Sequence, residues 1–156
     1  MDIRKITTRN GLDIAFTSVG LGTGPLGELF SNLDEKTSIA TVEEAYAKGI
    51  RVFDTSPHYG CGLAEARLGA GLRGVPRNDF VVSTKVGRIM DPRGEKPKPA
   101  PGVVSFAGGY PHAARFDYSY DGAMRSIEHS LLRLGMDRLD IVMIHDCDRW
   151  THGEEG

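Results

Sequence analysis

Four residues of this sequence could together protonate a carbonyl oxygen and hold it in place: Asp54, Tyr59, Lys85 and His145. Asp54 closes the apolar stretch Ile50-Arg51-Val52-Phe53-Asp54, and Tyr59 follows in the loop Thr55-Ser56-Pro57-His58-Tyr59-Gly60. Lys85 closes Phe80-Val81-Val82-Ser83-Thr84-Lys85, and His145 closes Leu139-Asp140-Ile141-Val142-Met143-Ile144-His145. A titratable group at the end of a buried run is costly unless it is paired. Paired, these four make chemical sense. A carbonyl that accepts a hydride also needs a proton on its oxygen. A tyrosine hydroxyl can supply it, although a free phenol titrates near pH ~10, high for work at neutral pH. An ammonium beside a phenol stabilises the phenolate, which is the part for Lys85. Asp54 is placed to keep that lysine charged. His145 can hydrogen-bond and orient the substrate oxygen. Run in reverse, Tyr59 becomes the base for alcohol oxidation. The hydride requires a nicotinamide, because no side chain carries one. NAD or NADP is therefore the expected cofactor.

The elements that must position these residues are legible from periodicity. Residues 3–7 and 13–17 flank Asn10-Gly11, a strong hairpin signal. Ser18-Val19-Gly20-Leu21-Gly22-Thr23 reads as a short strand running into a glycine-rich loop. Asp34 is a candidate N-cap for a helix over 35–48, with Ile39, Val42, Ala45 and Tyr46 at helical spacing and Gly49 as the stop. A strand over 50–54 follows. A helix over 63–73 carries Ala64, Leu68 and Leu72 on one face, and a strand over 80–85 comes next. Residues 90–117 hold most of the eight prolines and no sustained period, so they read as a long excursion. Asp121 is read as the cap of a helix over 122–134, whose stripe is Met124, Ile127, Leu131 and Leu134; Gly135 ends it. A strand over 139–145 and a polar tail complete the chain.

Strand–helix alternation implies right-handed parallel crossovers. Repeats of roughly 30 residues fit the βα units of a TIM barrel. The expected fold class is α/β, of the (β/α)8 TIM-barrel type, present as an N-terminal half-barrel: a hairpin, about four parallel strands and three helices. A whole barrel takes eight units and ~250 residues, so the 156-residue chain reads as one incomplete domain and a truncated form. Its parts are a hairpin (1–17), the first βα units and third strand (18–89), a long loop (90–120), a helix and fourth strand (121–148) and a tail (149–156). In such a fold all C-terminal strand ends share one face, where residues distant in sequence converge. The first and fourth strands would be open edges through which copies could associate.

Several strings resemble the aldo-keto reductases: Phe53-Asp54-Thr55-Ser56-Pro57-His58-Tyr59-Gly60, Ser83-Thr84-Lys85-Val86-Gly87 and Val142-Met143-Ile144-His145-Asp146. Gly60-Cys61-Gly62-Leu63-Ala64-Glu65 with Leu68-Gly69 extends the likeness. The resemblance runs from about residue 4 to about residue 148. It implies catalytic roles for Asp54, Tyr59, Lys85 and His145. It also implies that Gly22, Thr23, Gly24 and Asp54 border the nicotinamide end of the cofactor. The family's segments for the pyrophosphate and the adenosine phosphate have no counterpart here. The excursion, followed by Phe116-Asp117-Tyr118-Ser119-Tyr120-Asp121-Gly122, is most similar to the branch of sugar and pyridoxal dehydrogenases. The implied activity is NAD(P)-dependent interconversion of a carbonyl and an alcohol on a small aldose or aldehyde.

Composition narrows the field. Formal net charge is −2, which favours neither nucleic acid nor an anionic membrane. No apolar run reaches the ~20 residues of a membrane span, and the first residues lack the apolar core of a signal peptide. Two cysteines, Cys61 and Cys147, read as reduced thiols, and the cytoplasm is the expected compartment. Two other functions compete. A metal-dependent hydrolase would draw ligands from His58, Cys61, His145, Cys147 and His152, but the ligand spacings are loose and no metal is expected. A non-catalytic cofactor-binding or assembly module would share the same sequence. Gly20-Leu21-Gly22 lacks the helix that a Rossmann fingerprint requires directly after it. Taken singly, each of the four residues has a plain structural reading: Asp54 as a cap, Tyr59 as a packing aromatic, Lys85 as a solvated charge, His145 as a structural histidine. Their joint occurrence on three successive strand ends favours catalysis. Glu65 reads as a cap or solvated charge, Asp146 and Asp148 as loop residues. Trp150 reads as a tail residue or part of the substrate mouth. Arg93, Lys96 and Lys98 read as a solvated loop.

Overall fold

The computed structural model describes residues 2–92 and 106–153. Arg93, Lys96 and Lys98 lie outside them. Four parallel strands form the central sheet, in the order β3 (Leu21–Gly22), β4 (Val52–Asp54), β5 (Val81–Val86) and β8 (Ile141–Ile144). Gly22 pairs with Asp54, Asp54 with Ser83, and Lys85 with Met143, so the C-terminal ends are level. β5 is buried along its whole length, as a strand with neighbours on both sides and helices over it should be.

The helices follow the expected alternation. α1 (Glu35–Ala47) is capped by Asp34, which accepts from the Thr37 N–H at 2.9 Å. α2 (Leu63–Leu72) packs between α1 and α3 (Tyr120–Leu134). Phe53, Val82, Leu68, Ala64, Val42, Leu72 and Leu134 make one continuous core between sheet and helices. The hairpin of β1 (Ile3–Thr7) and β2 (Asp13–Thr17) is largely exposed. It is anchored to the sheet where the Thr17 hydroxyl accepts from the Arg51 N–H at 3.2 Å.

The structure departs from expectation in five places. The first central strand is only two residues long, because the chain turns at Thr23 into a 3-10 turn over Gly24–Gly27. The excursion contains a second hairpin, β6 (Arg88–Asp91) with β7 (Ala113–Phe116), antiparallel with Arg88 opposite Phe116. Ser119, not Asp121, caps α3, its hydroxyl accepting from the Gly122 N–H at 3.0 Å. α3 also buries a different face: Gly122, Ser126, Ser130 and Leu134 turn inward, while Ile127 and Leu131 are half-buried and Met124 is exposed. Small residues allow α3 to lie close, and the Ser126 hydroxyl reaches the Arg88 carbonyl at 3.3 Å. Finally, the tail begins with a one-turn helix, α4 (Arg149–His152), capped by Asp148.

Candidate active site

The four residues singled out by chemistry meet at the C-terminal ends of β4, β5 and β8. Lys85 Nζ donates to Asp54 Oδ2 at 2.8 Å and to the Thr55 carbonyl at 2.8 Å. The same ammonium sits 4.9 Å from the centre of the Tyr59 ring. The His145 ring meets the Tyr59 ring nearly edge-on, 6.0 Å between centres and 86° between planes. Lys85 is almost wholly buried, and its pairing with Asp54 is what makes a charge tolerable there.

Backbone geometry holds Tyr59 in place. Gly60, the next residue, has φ 62°, and a Cβ there would collide with the Gly27 backbone. Only glycine lets the loop after β4 pass this close to the turn after β3. The Tyr110 N–H donates to the Gly60 carbonyl at 2.9 Å, which brings the far end of the excursion down on the same loop. Glu28 reinforces this contact. It accepts from the Gly109 N–H at 3.1 Å while it is paired with the buried Arg67 at 3.1 Å. Phe106 thereby lies against both His58 (5.4 Å) and Tyr59 (6.0 Å between ring centres).

His145 is held from several sides. Its Nδ1 is 3.1 Å from the Ser56 hydroxyl and its Nε2 is 3.6 Å from Asp146 Oδ1. Its carbonyl accepts from the Tyr118 hydroxyl at 2.7 Å. Asp146 is paired with Arg88 of β6, so the second hairpin braces the loop after β8. Burial pushes the His145 imidazole below its ordinary range; Asp146 resists this, while Arg88 and Lys85 add to it. Burial carries His58 further down, to about 4, with Arg88 and His145 contributing. For Asp146 burial works in the opposite sense, but the Arg88 hydrogen bond and neighbouring positive charge hold its carboxyl below the usual range. Both histidines are therefore neutral at pH 7.

The expected nicotinamide-side residues lie beside Asp54. The Thr23 N–H donates to the Asp54 carbonyl at 2.9 Å, and Gly22 pairs with Asp54 in the sheet. Gly24 opens the turn that follows. Thr23 Oγ1 and Asp54 Oδ1 are buried and have no hydrogen-bond partner among the described residues. Buried unmatched polar atoms are costly for the protein alone. They suit a polar ligand such as the amide or ribose hydroxyls of a nicotinamide nucleoside.

Sequence reasoning did not single out Ser56, Arg88, Phe106 or Tyr118 as parts of this site. Ser56 and Tyr118 carry a signal, as members of the strings around Tyr59 and after the excursion; Arg88 and Phe106 carry none. Asp146, a loop residue by sequence, is an ion-pair partner with φ 50°. The alternative metal ligands do not converge. His58 and His145 are neighbours, but the His152 imidazole is engaged by the Tyr118 hydroxyl and the Asp146 carbonyl, and Cys147 is exposed. Among the described residues no three histidine, cysteine or carboxylate groups gather around a common point. Trp150 is 98% exposed.

Comparisons with known proteins bear on this arrangement. The model of the Aldo/keto reductase family matches residues 18–156. The chain is 41% identical to pyridoxal 4-dehydrogenase of Microbacterium luteolum over 152 residues, 94% of this chain and 44% of that protein. It is 41% identical to D-threo-aldose 1-dehydrogenase of a Pseudomonas species over 138 residues, 87% of this chain and 42% of that protein. Among solved structures, aldo-keto reductase AKR11C1 from Bacillus halodurans aligns with TM-score 0.66 at 27% identity, covering 92% of this chain and 40% of that one. An aldo/keto reductase from Klebsiella pneumoniae in complex with NADP and acetate aligns with TM-score 0.55 at 26% identity, covering 83% and 35%. The chain spans less than half the length of these relatives, and the solved ones are TIM barrels. The chain belongs to the aldo/keto reductase family.

Proposed function

We propose that this chain carries the proton-transfer half of an NAD(P)-dependent oxidoreductase acting on small aldoses or aldehydes. The observation that carries the proposal is the single cluster of Asp54, Tyr59, Lys85 and His145, with Lys85 Nζ bonded to Asp54 at 2.8 Å and lying 4.9 Å from the Tyr59 ring. Tyr59 gives the proton to the substrate oxygen in reduction and removes it in oxidation. Lys85, ion-paired with Asp54, stabilises the phenolate left behind. His145, neutral at pH 7, donates a hydrogen bond to the same oxygen. Gly22, Thr23, Gly24 and Asp54 hold the nicotinamide end of the cofactor, with Thr23 Oγ1 and Asp54 Oδ1 as its unmatched polar contacts. The cofactor supplies or accepts the hydride. The names of the dehydrogenase relatives and the NADP in the Klebsiella pneumoniae structure support this reading.

The small-molecule site is expected to work in the cytoplasm, which suits two thiols outside any disulfide, Cys61 buried and Cys147 exposed. No helix among the described residues is long and apolar enough to cross a membrane. The decisive experiment is Tyr59→Phe in a form that turns over an aldose with NAD or NADP. Loss of the proton carrier should lower kcat by ~10²–10⁴-fold, the usual worth of general acid–base catalysis. Binding of NADH or NADPH, read by nicotinamide fluorescence, should be retained. Full activity of Tyr59→Phe would refute the assignment.

A second reading has one observation in its favour. The outer edge of β8 is unpaired in the described sheet. A chain that associates through this edge and binds nicotinamide without turnover would be an assembly module rather than an enzyme.

A further inference from the structure

Ser56 lies in the loop between β4 and Tyr59, and its side chain is wholly buried. Its hydroxyl oxygen accepts from the His58 N–H at 3.1 Å and stands 3.1 Å from His145 Nδ1, across 89 positions of sequence. Two arrangements of protons could satisfy that second contact. In one, Nδ1–H donates to Ser56. The serine oxygen then accepts twice, and its own O–H must find another acceptor in a fully buried place; among the described residues it has none. In the other, Ser56 donates to an unprotonated Nδ1, and every polar atom of the hydroxyl is matched. A neutral imidazole then carries its one proton on Nε2. Asp146 Oδ1, 3.6 Å from Nε2, favours the proton on the same nitrogen.

We infer that Ser56 is a positioning residue: its hydroxyl donates to His145 Nδ1 and so fixes the imidazole as the Nε2–H tautomer. A histidine that is to donate to a carbonyl oxygen must present an N–H, and which nitrogen bears it is set by the partner of the other nitrogen. Ser56 thus joins the loop that carries Tyr59 to the strand end that carries His145, across the end of β5. The use of this N–H in catalysis rests on the reductase reading. The hydrogen bond itself does not, and it can be tested without turnover.

The test is a long-range proton–nitrogen correlation spectrum of this chain, labelled with ¹⁵N-histidine at pH 7, with His145 assigned by loss of its signals in His145→Gln. The wild type is expected to show Nε2 protonated and Nδ1 as a hydrogen-bonded acceptor. In Ser56→Ala the Nδ1 signal should move toward that of an unbonded acceptor, with exchange between tautomers. Ser56→Thr, which keeps the hydroxyl, should restore the wild-type pattern. A protonated Nδ1 in the wild type overturns the inference, as do identical His145 signals in wild type and Ser56→Ala. If the variants do not fold, the wild-type spectrum alone still decides. In a form that turns over, Ser56→Ala should lose roughly 10–100-fold in kcat, by analogy with removal of the orienting partner of a metal-bound histidine. An intact Ser56–His145 bond with no turnover under any condition would count against the reductase reading and leave the inference standing.

Discussion

His145 donates from one nitrogen and accepts at the other only while it is neutral, and burial keeps it so at pH 7. The same surroundings act more strongly on His58, whose imidazole is pushed from about 6.5 to about 4, first by burial and then by Arg88 and His145. The sign of the effect on stability follows from proton counting. Between pH ~6.5 and ~4 the unfolded chain binds a proton at this histidine that the folded chain does not. Stability is full above the unfolded value and is lost as pH falls toward the folded one, by a ceiling of about 3 kcal/mol. His145, lowered for the same primary reason, adds to the loss within this window. Asp146, Asp34 and Asp117 are held below the usual carboxylate value of 3.8, so their contributions disappear only under more acid conditions. Urea unfolding midpoints between pH 7 and 4 should therefore fall in wild type and fall less in His58→Gln. A wild-type midpoint that does not change across this range would show that His58 is not buried as described.

At the scale of elements, three of them meet at one carboxylate. Glu65 on α2 has no exposure, accepts from the Thr84 hydroxyl of β5 at 2.7 Å and pairs with Arg133 of α3 at 2.6 Å. Removing one partner of a buried pair strands the other charge, which typically costs about 3–5 kcal/mol, whereas replacing both by apolar groups is far milder. Arg133→Met is expected to destabilise the chain by that amount in urea unfolding, and Glu65→Leu with Arg133→Met by much less. A cost for Arg133→Met of only ~0–1 kcal/mol, the range of an exposed ion pair, would mean that Glu65 reaches water.

This pair also marks the limit of what the sequence discloses. The strands, the alternation with helices and the four strand-end residues were legible because each rests on a local signal: an apolar run ended by a titratable residue, or a helical stripe ended by glycine. Glu65 reads as a cap or a solvated charge in the sequence because its burial depends on α3, far along the chain, lying across it. Ser126 and Ser130 were passed over on α3 for the same reason. Their small side chains become the inner face only because β6 and α2 approach there, while the apolar stripe that periodicity picks out is left half-covered. The β6–β7 hairpin was missed because its pairing spans the proline-rich segment, and neither of its strands is long enough to carry an alternation of its own.

At the scale of the whole molecule, β5 and β8 differ more in their neighbours than in their sequences. β5 has β4 on one side and β8 on the other, and all six of its residues are buried. β8 has β5 alone, and Val142, Met143 and Ile144 are 42%, 42% and 65% exposed. Leu132 on α3 is more exposed still, at 78%. In a closed barrel every strand has two partners and no edge remains. The described sheet has four strands and two edges. One of them, β3, is two residues long and offers little to pair with. The β8 edge combines unpaired backbone groups with contiguous apolar side chains, a combination that promotes association through strand edges. The weight-average mass of this chain in sedimentation is accordingly expected to rise with concentration. Ile144→Lys, which places a charge on the edge, should shift that rise to higher concentration while leaving the far-ultraviolet circular dichroism unchanged. A wild-type chain that stays monomeric at every concentration, with Ile144→Lys indistinguishable from it, would show that β8 does not pair across its open edge.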